Sequence, residues 1–154
     1  MIVGIGVDIV ETERFARALG SAEGFAERVF TARELAACAS RADRLQALAA
    51  RFAAKEACLK ALGAGILESA LHEVEISSTQ SGAPQLRLAG ALAERARGRG
   101  VRSAHVSLTH QPGLAAAVVI LEGTRRRAAS RPGRRRGGRG AETWTLETVS
   151  SGTW

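Results

Sequence analysis

The chain opens on a strict alternation. Over residues 2–10, Val3, Ile5, Val7 and Ile9 fall on one side of an extended segment, and Gly4, Gly6 and Asp8 fall on the other. This predicts a strand with one face stripped of side chains just ahead of a carboxylate. The period then lengthens. Residues 12–19 and 22–29 read as short helices in which Phe15, Leu19, Phe25 and Val29 are apolar and Arg14, Arg17 and Arg28 are basic. Thr31 followed by Glu34 is a capping-box pattern that starts a helix over 32–39. From about Asp43, at about 100° per residue, Leu45, Leu48, Ala49, Phe52, Leu59 and Gly63 share one stripe of a long helix that stops at Gly63. Strand-like segments over 73–77 and 85–88 bracket a turn at Gln80–Pro84, and a helix over 90–99 closes at Gly100. Strands over about 102–109 and 114–121 flank His110-Gln111-Pro112-Gly113 and predict an antiparallel hairpin. The fold class expected is α+β, an antiparallel sheet packed with a long central helix.

Glu56 breaks the apolar stripe of that helix, near its middle. Burying an unpaired charge costs several kcal/mol or more, so the carboxyl is neutral, meets an Arg or Lys, or meets a metal. Lys60 follows one turn later, about 40° round the same face. Asp8, on the glycine face of the first strand, can meet Glu56 where helix packs on sheet. Two carboxylates at one point repel each other. A divalent cation removes the repulsion, and one or two carboxylates completed by water and phosphate oxygens suit Mg²⁺ better than zinc. Taken singly, Asp8 as a strand-end cap, Glu56 as an arginine partner and Lys60 as a snorkelling helix lysine remain open readings. Arg51 lies about 140° round the helix from Glu56, so both serve one ligand only if that ligand is extended. Phosphates at both ends of a nucleotide would meet that requirement, with Arg51 and His110 at the far end.

Composition narrows the field. With 154 residues and 45% hydrophobic content, one core is expected. No apolar run reaches membrane-spanning length and the N-terminus lacks a secretory pattern, so a cytoplasmic protein is expected. Cys38 and Cys58 lack metal-ligand spacing. The net charge of +7 is uneven: residues 124–154 hold eight arginines against two glutamates, while the rest hold fourteen basic and thirteen acidic residues. We therefore divide the chain into a domain over 1–123 and a basic extension over 124–154, expected to be mostly disordered because it lacks apolar periodicity. Nucleic-acid binding by this extension is not expected to be the function, since the body is near neutral and aromatic residues make up 4%. A P-loop and kinase motifs are absent, which argues against most other magnesium phosphotransferases.

Three blocks in order then resemble a family. Gly6-Val7-Asp8-Ile9-Val10-Glu11-Thr12-Glu13-Arg14-Phe15, Arg51-Phe52-Ala53-Ala54-Lys55-Glu56-Ala57 with Lys60-Ala61-Leu62-Gly63, and Val106-Ser107-Leu108-Thr109-His110 resemble holo-(acyl carrier protein) synthases, the small bacterial 4'-phosphopantetheinyl transferases. Gly82-Ala83-Pro84 matches a further short element of that family. The likeness spans essentially all of 1–123. Gln111 departs from it, standing where many relatives carry an acidic residue, as does the lack of an aromatic residue near Leu71. The resemblance implies transfer of 4'-phosphopantetheine from coenzyme A to a serine of apo-acyl carrier protein, releasing adenosine 3',5'-bisphosphate, in fatty acid biosynthesis. It implies Mg²⁺ held by Asp8 and Glu56, with Glu56 and Lys60 catalytic. Arg51, Lys60, Gly63, Pro84 and His110 would contact coenzyme A, and Arg14, Arg17 and Arg28 would dock the acidic carrier protein. It further implies a homotrimer with the coenzyme bound between subunits.

Overall fold

The computed structural model describes residues 1–21, 23–65, 68–124 and 144–145. The order is β1 (Ile2–Glu11), α1 (Thr12–Ser21), α2 (Phe25–Val29), α3 (Ala32–Ala39), α4 (Arg44–Ala61), a 3-10 turn (Glu68–Glu73), β2 (Val74–Ser78), β3 (Pro84–Leu88), α5 (Gly90–Gly98), β4 (Val101–Gln111), β5 (Leu114–Gly123) and β6 (Trp144–Thr145). The strands form two antiparallel sheets, one ordered β1-β5-β4 and the other β2-β3-β6. The expected α+β class with a long helix against antiparallel sheet is what the chain adopts. Of the extension over 124–154, Trp144 and Thr145 lie opposite Leu88 and Arg87 of β3. The expectation of disorder otherwise falls outside the described residues.

The contact of β1 with α4 sets the architecture. A Cβ built on Gly6 would lie 1.9 Å from the Ala57 carbonyl oxygen, and one on Gly4 would lie 2.1 Å from that of Ala61. Glycine on the strand and alanine on the helix let two backbones approach where ordinary side chains would hold them apart. The glycine face of β1 is thus the inner face. Ile5, Val7 and Ile9 point outward at 61%, 58% and 63% exposure. Val3, grouped with them by alternation, sits at a β-bulge between Ile2 and Gly4 and packs on the core instead.

α4 is buried on most of its circumference, including Leu48, Ala49, Ala53, Ala54, Ala57, Cys58 and Leu59. Leu45, Phe52 and Glu56 are only half-buried and Gly63 is exposed, so the expected stripe marks one flank of a helix enclosed on several sides. Its C-terminus closes in a Schellman motif: the Gly63 N–H donates to Lys60 O at 3.0 Å and the Ala64 N–H to Leu59 O at 2.9 Å, with Gly63 at φ 56°. Two arginines from the α5 region finish it. Arg95 donates to the Leu62 and Gly63 carbonyls, and Arg99 donates to those of Ala61 and Val3.

Two expectations shift. The helix expected over 22–29 begins only at Phe25, after Gly24 in the left-handed region at φ 69°. Strand β4 runs through His110 to Gln111, which pairs with Leu114, leaving Pro112-Gly113 as the hairpin turn. The helix over 32–39 carries the expected capping box, with both Thr31–Glu34 bonds present.

Candidate active site

The strand–helix contact brings Asp8, Glu56 and Lys60 together. Lys60 Nζ lies 2.7 Å from Asp8 Oδ1 and donates to the Val7 carbonyl at 3.0 Å. Asp8 is buried, and its Oδ2 has no hydrogen-bond donor. The half-buried Glu56 carboxyl faces Asp8. Burial raises its pKa above the ordinary glutamate value, the adjacent Asp8 carboxylate raises it further, and Lys60 opposes the shift. The two carboxyls therefore share one place that asks for a proton or a cation. An orphaned, buried carboxylate oxygen beside a second carboxylate fits a hard divalent cation that completes its shell with water and ligand oxygens. Asp8 and Glu56 are the residues of this cluster that could hold such a cation, and among the described residues no group of three or more His, Cys, Asp or Glu gathers at one point.

A second cluster lies on another side of α4. Arg51 is 9% exposed, its Nη1 donates to the Ala47 carbonyl at 3.0 Å, and its Nε is buried with no acceptor. It lines a cavity of about 340 Å³ together with Arg33, Arg41, Ser77 and Ser78 and with the carboxylates of Glu34 and Glu75, the second of which lies 3.7 Å from Arg33. Pro84 stands opposite Ser78 in the β2–β3 ladder but is not among the residues that line the cavity. Arg41 binds Asp43 through two bonds of 2.8 and 2.7 Å. Hydrogen bonding to Arg41 holds the Asp43 carboxyl below its usual range. His110 Nε2 lies 3.6 Å from the same Asp43 carboxylate, which connects it to the arginine cluster. Gly63 belongs to neither cluster but caps the helix end next to Lys60. Arg14, Arg17 and Arg28 are exposed on α1 and α2.

The fully buried charge on α4 is Lys55, which the stripe did not single out. Its Nζ lies 2.8 Å from Glu34 Oε2, both side chains being almost wholly buried, and it donates to the carbonyls of Leu71 and Val74. Glu34 Oε1 accepts the Ile76 N–H at 2.9 Å, and Oε2 accepts the Thr31 N–H at 2.9 Å. Every heteroatom of the pair is engaged, as a buried ion pair requires. The capping box exposed Glu34 to view in the sequence, but for the helix cap alone.

The family model for the 4'-phosphopantetheinyl transferase superfamily matches residues 4–119, a span that contains both clusters. The chain belongs to this superfamily. Among its relatives, a holo-(acyl-carrier-protein) synthase of Streptomyces griseus is 48% identical over 125 residues, covering 80% of this chain and 100% of the relative. The structure of the holo-(acyl-carrier-protein) synthase from Neisseria meningitidis superposes with a TM-score of 0.71 at 33% identity, over 79% of this chain and 99% of that one. That of Helicobacter pylori, in complex with coenzyme A, superposes with a TM-score of 0.65 at 31% identity, over 77% and 99%. The chain is thus a phosphopantetheinyl transferase of the holo-(acyl-carrier-protein) synthase type. No described helix is long and apolar enough to cross a membrane.

Proposed function

We propose that this transferase moves the 4'-phosphopantetheine of coenzyme A onto a serine hydroxyl of apo-acyl carrier protein in a Mg²⁺-dependent reaction, releasing adenosine 3',5'-bisphosphate. The reading places it in cytoplasmic fatty acid biosynthesis. It is carried by the Asp8–Glu56–Lys60 cluster, two carboxyls and an ammonium at one point, in a chain of this family.

Asp8 and Glu56 would hold the metal, which supplies charge neutralisation on the pyrophosphate when bound. Lys60 presents its ammonium to the same phosphates. Glu56, once deprotonated, accepts the serine proton, directly or through a water. The serine oxygen then forms its bond to the phosphorus next to pantetheine. The bond from that phosphorus to the bridging oxygen breaks, and its electron pair leaves on the nucleotide. The Arg51 cavity, with His110 linked to it through Asp43 and Arg41, suits the phosphorylated nucleoside end, and Pro84, paired with Ser78 in the β2–β3 ladder, would meet the coenzyme near it. Gly63, which ends the helix beside Lys60, would present backbone without a side chain to the coenzyme. The exposed Arg14, Arg17 and Arg28 suit an acidic carrier surface, an attraction that weakens with salt. A second and third copy of the chain suit the bare apolar face of β1, which supports a homotrimer.

Mass spectrometry of apo-acyl carrier protein incubated with coenzyme A, Mg²⁺ and the enzyme tests the reading. The carrier is expected to gain about 340 Da, the mass of the transferred group in this phosphoryl-transfer chemistry. An unchanged carrier mass with folded enzyme and several carrier proteins overturns the proposal.

A further inference from the structure

Lys60 is bound to the wrong partner for a residue that acts on phosphate. Its ammonium is seated on Asp8 Oδ1 and the Val7 carbonyl, and so stands against the carboxylate that would hold the metal. We infer that Lys60 is a place-holding cation: it neutralises Asp8 until the metal and the pyrophosphate arrive together, then gives up Asp8 and turns to the phosphate. This rests on the metal reading above and adds an order of events to it.

Two features make the exchange feasible. The Lys60 side chain is 44% exposed, so it can swing out, whereas the Asp8 side chain is 10% exposed and cannot follow it. Asp8 Oδ2 is left without a donor, so the lysine satisfies one oxygen of the carboxylate and leaves the other open. A metal arriving alone must displace the ammonium with no new anion to receive it. A metal arriving with a pyrophosphate supplies that anion. Metal and coenzyme binding are therefore coupled through this side chain, and the coupling acts equally on both ligands.

The test is equilibrium binding of Mn²⁺, a cation with the same preference for oxygen ligands, to the whole chain with and without coenzyme A. Without the coenzyme, Lys60→Met is expected to tighten Mn²⁺ binding about fivefold, the scale of a partly exposed ion pair. With the coenzyme present, the gain is expected to vanish. Equal affinity of wild type and variant without coenzyme overturns the inference. So does an equal gain in both conditions, which would be simple charge repulsion. Failure of both proteins to bind Mn²⁺ with coenzyme present overturns the metal reading itself, and this inference with it.

A second readout does not depend on the variant. Lys55 and Lys60 are the two lysines of the chain, and Lys55 is wholly enclosed. Acylation by a small water-soluble ester, read by peptide mass spectrometry, therefore reports Lys60. Mn²⁺ alone is expected to raise Lys60 labelling several-fold by freeing the amine, and addition of coenzyme A to lower it again. Labelling unchanged at Mn²⁺ concentrations that the binding titration shows to occupy the coenzyme-free site overturns the exchange.

Discussion

Glu56 holds its proton more tightly than an isolated glutamate, and this makes the cluster measurable without substrate. The carboxyl has a folded-state pKa above the ordinary 4.5, because burial and Asp8 outweigh Lys60. Just above pH 4.5 the folded protein therefore keeps a proton that the unfolded chain has released. Bound protons then exceed those of the unfolded state, so this group's contribution to stability falls as pH rises through the window. The metal-free protein is expected to lose thermal stability with rising pH there more steeply than Glu56→Gln, which cannot titrate. Identical pH slopes for the two proteins, by thermal unfolding, would remove the shared-proton account. Glu56→Gln is also expected to cut transfer by about a hundredfold or more, the scale of a lost general base, at nearly unchanged stability. Asp8 and Glu56 were legible in the sequence because glycine alternation and helical spacing each mark a local anomaly, whereas Lys60 stood out only through the family resemblance. Lys55 was not, since its partners come from Glu34, Leu71 and Val74, all distant along the chain.

At the scale of elements, the seat of α4 on β1 carries the site. Gly6→Ala would put a methyl within 1.9 Å of a helix carbonyl, and any retreat of the strand or the helix would carry Asp8 or Glu56 with it. Chemical denaturation is expected to show a loss of about 3 kcal/mol, at the upper end of ordinary overpacking costs. Mn²⁺ binding in the presence of coenzyme A should weaken in the same variant. A stable Gly6→Ala protein with unaltered binding would mean that the close approach is incidental. Alternation along β1 shows that the strand has two unlike faces, but not which one is inside. Apolar residues ordinarily turn inward, and here a bare backbone contact reverses the rule. The α4 stripe was similarly incomplete: in an alanine-rich helix covered on several sides, apolar contrast between faces is too small to mark the exposed flank. Gly24 shortened α2 because a left-handed residue cannot lie inside the helix.

For the molecule as a whole, the outward face of β1 is the feature that a lone subunit does not account for. Ile5, Val7 and Ile9 lie on an edge strand of the β1-β5-β4 sheet, beside Ile120, Val118 and Ala116 of β5. Val7→Glu places a charge in the middle of that surface. Sedimentation is expected to show a trimer for the wild-type chain and smaller species for the variant, with transfer lost alongside assembly. A wild-type chain that sediments as a monomer would refute the assembly proposal. The arginine clamp on α4 acts over a similar range, since Arg95 and Arg99 join the helix end to β1 and to the α5 region. A helix C-terminus is the negative pole of its dipole, and open carbonyls there would repel a polyanion approaching Lys60. With two guanidinium groups bound to those carbonyls, the sign is inverted. In the proposed reaction, the end of α4 would then be an electropositive landing for phosphates, and Lys60 would not have to attract them alone.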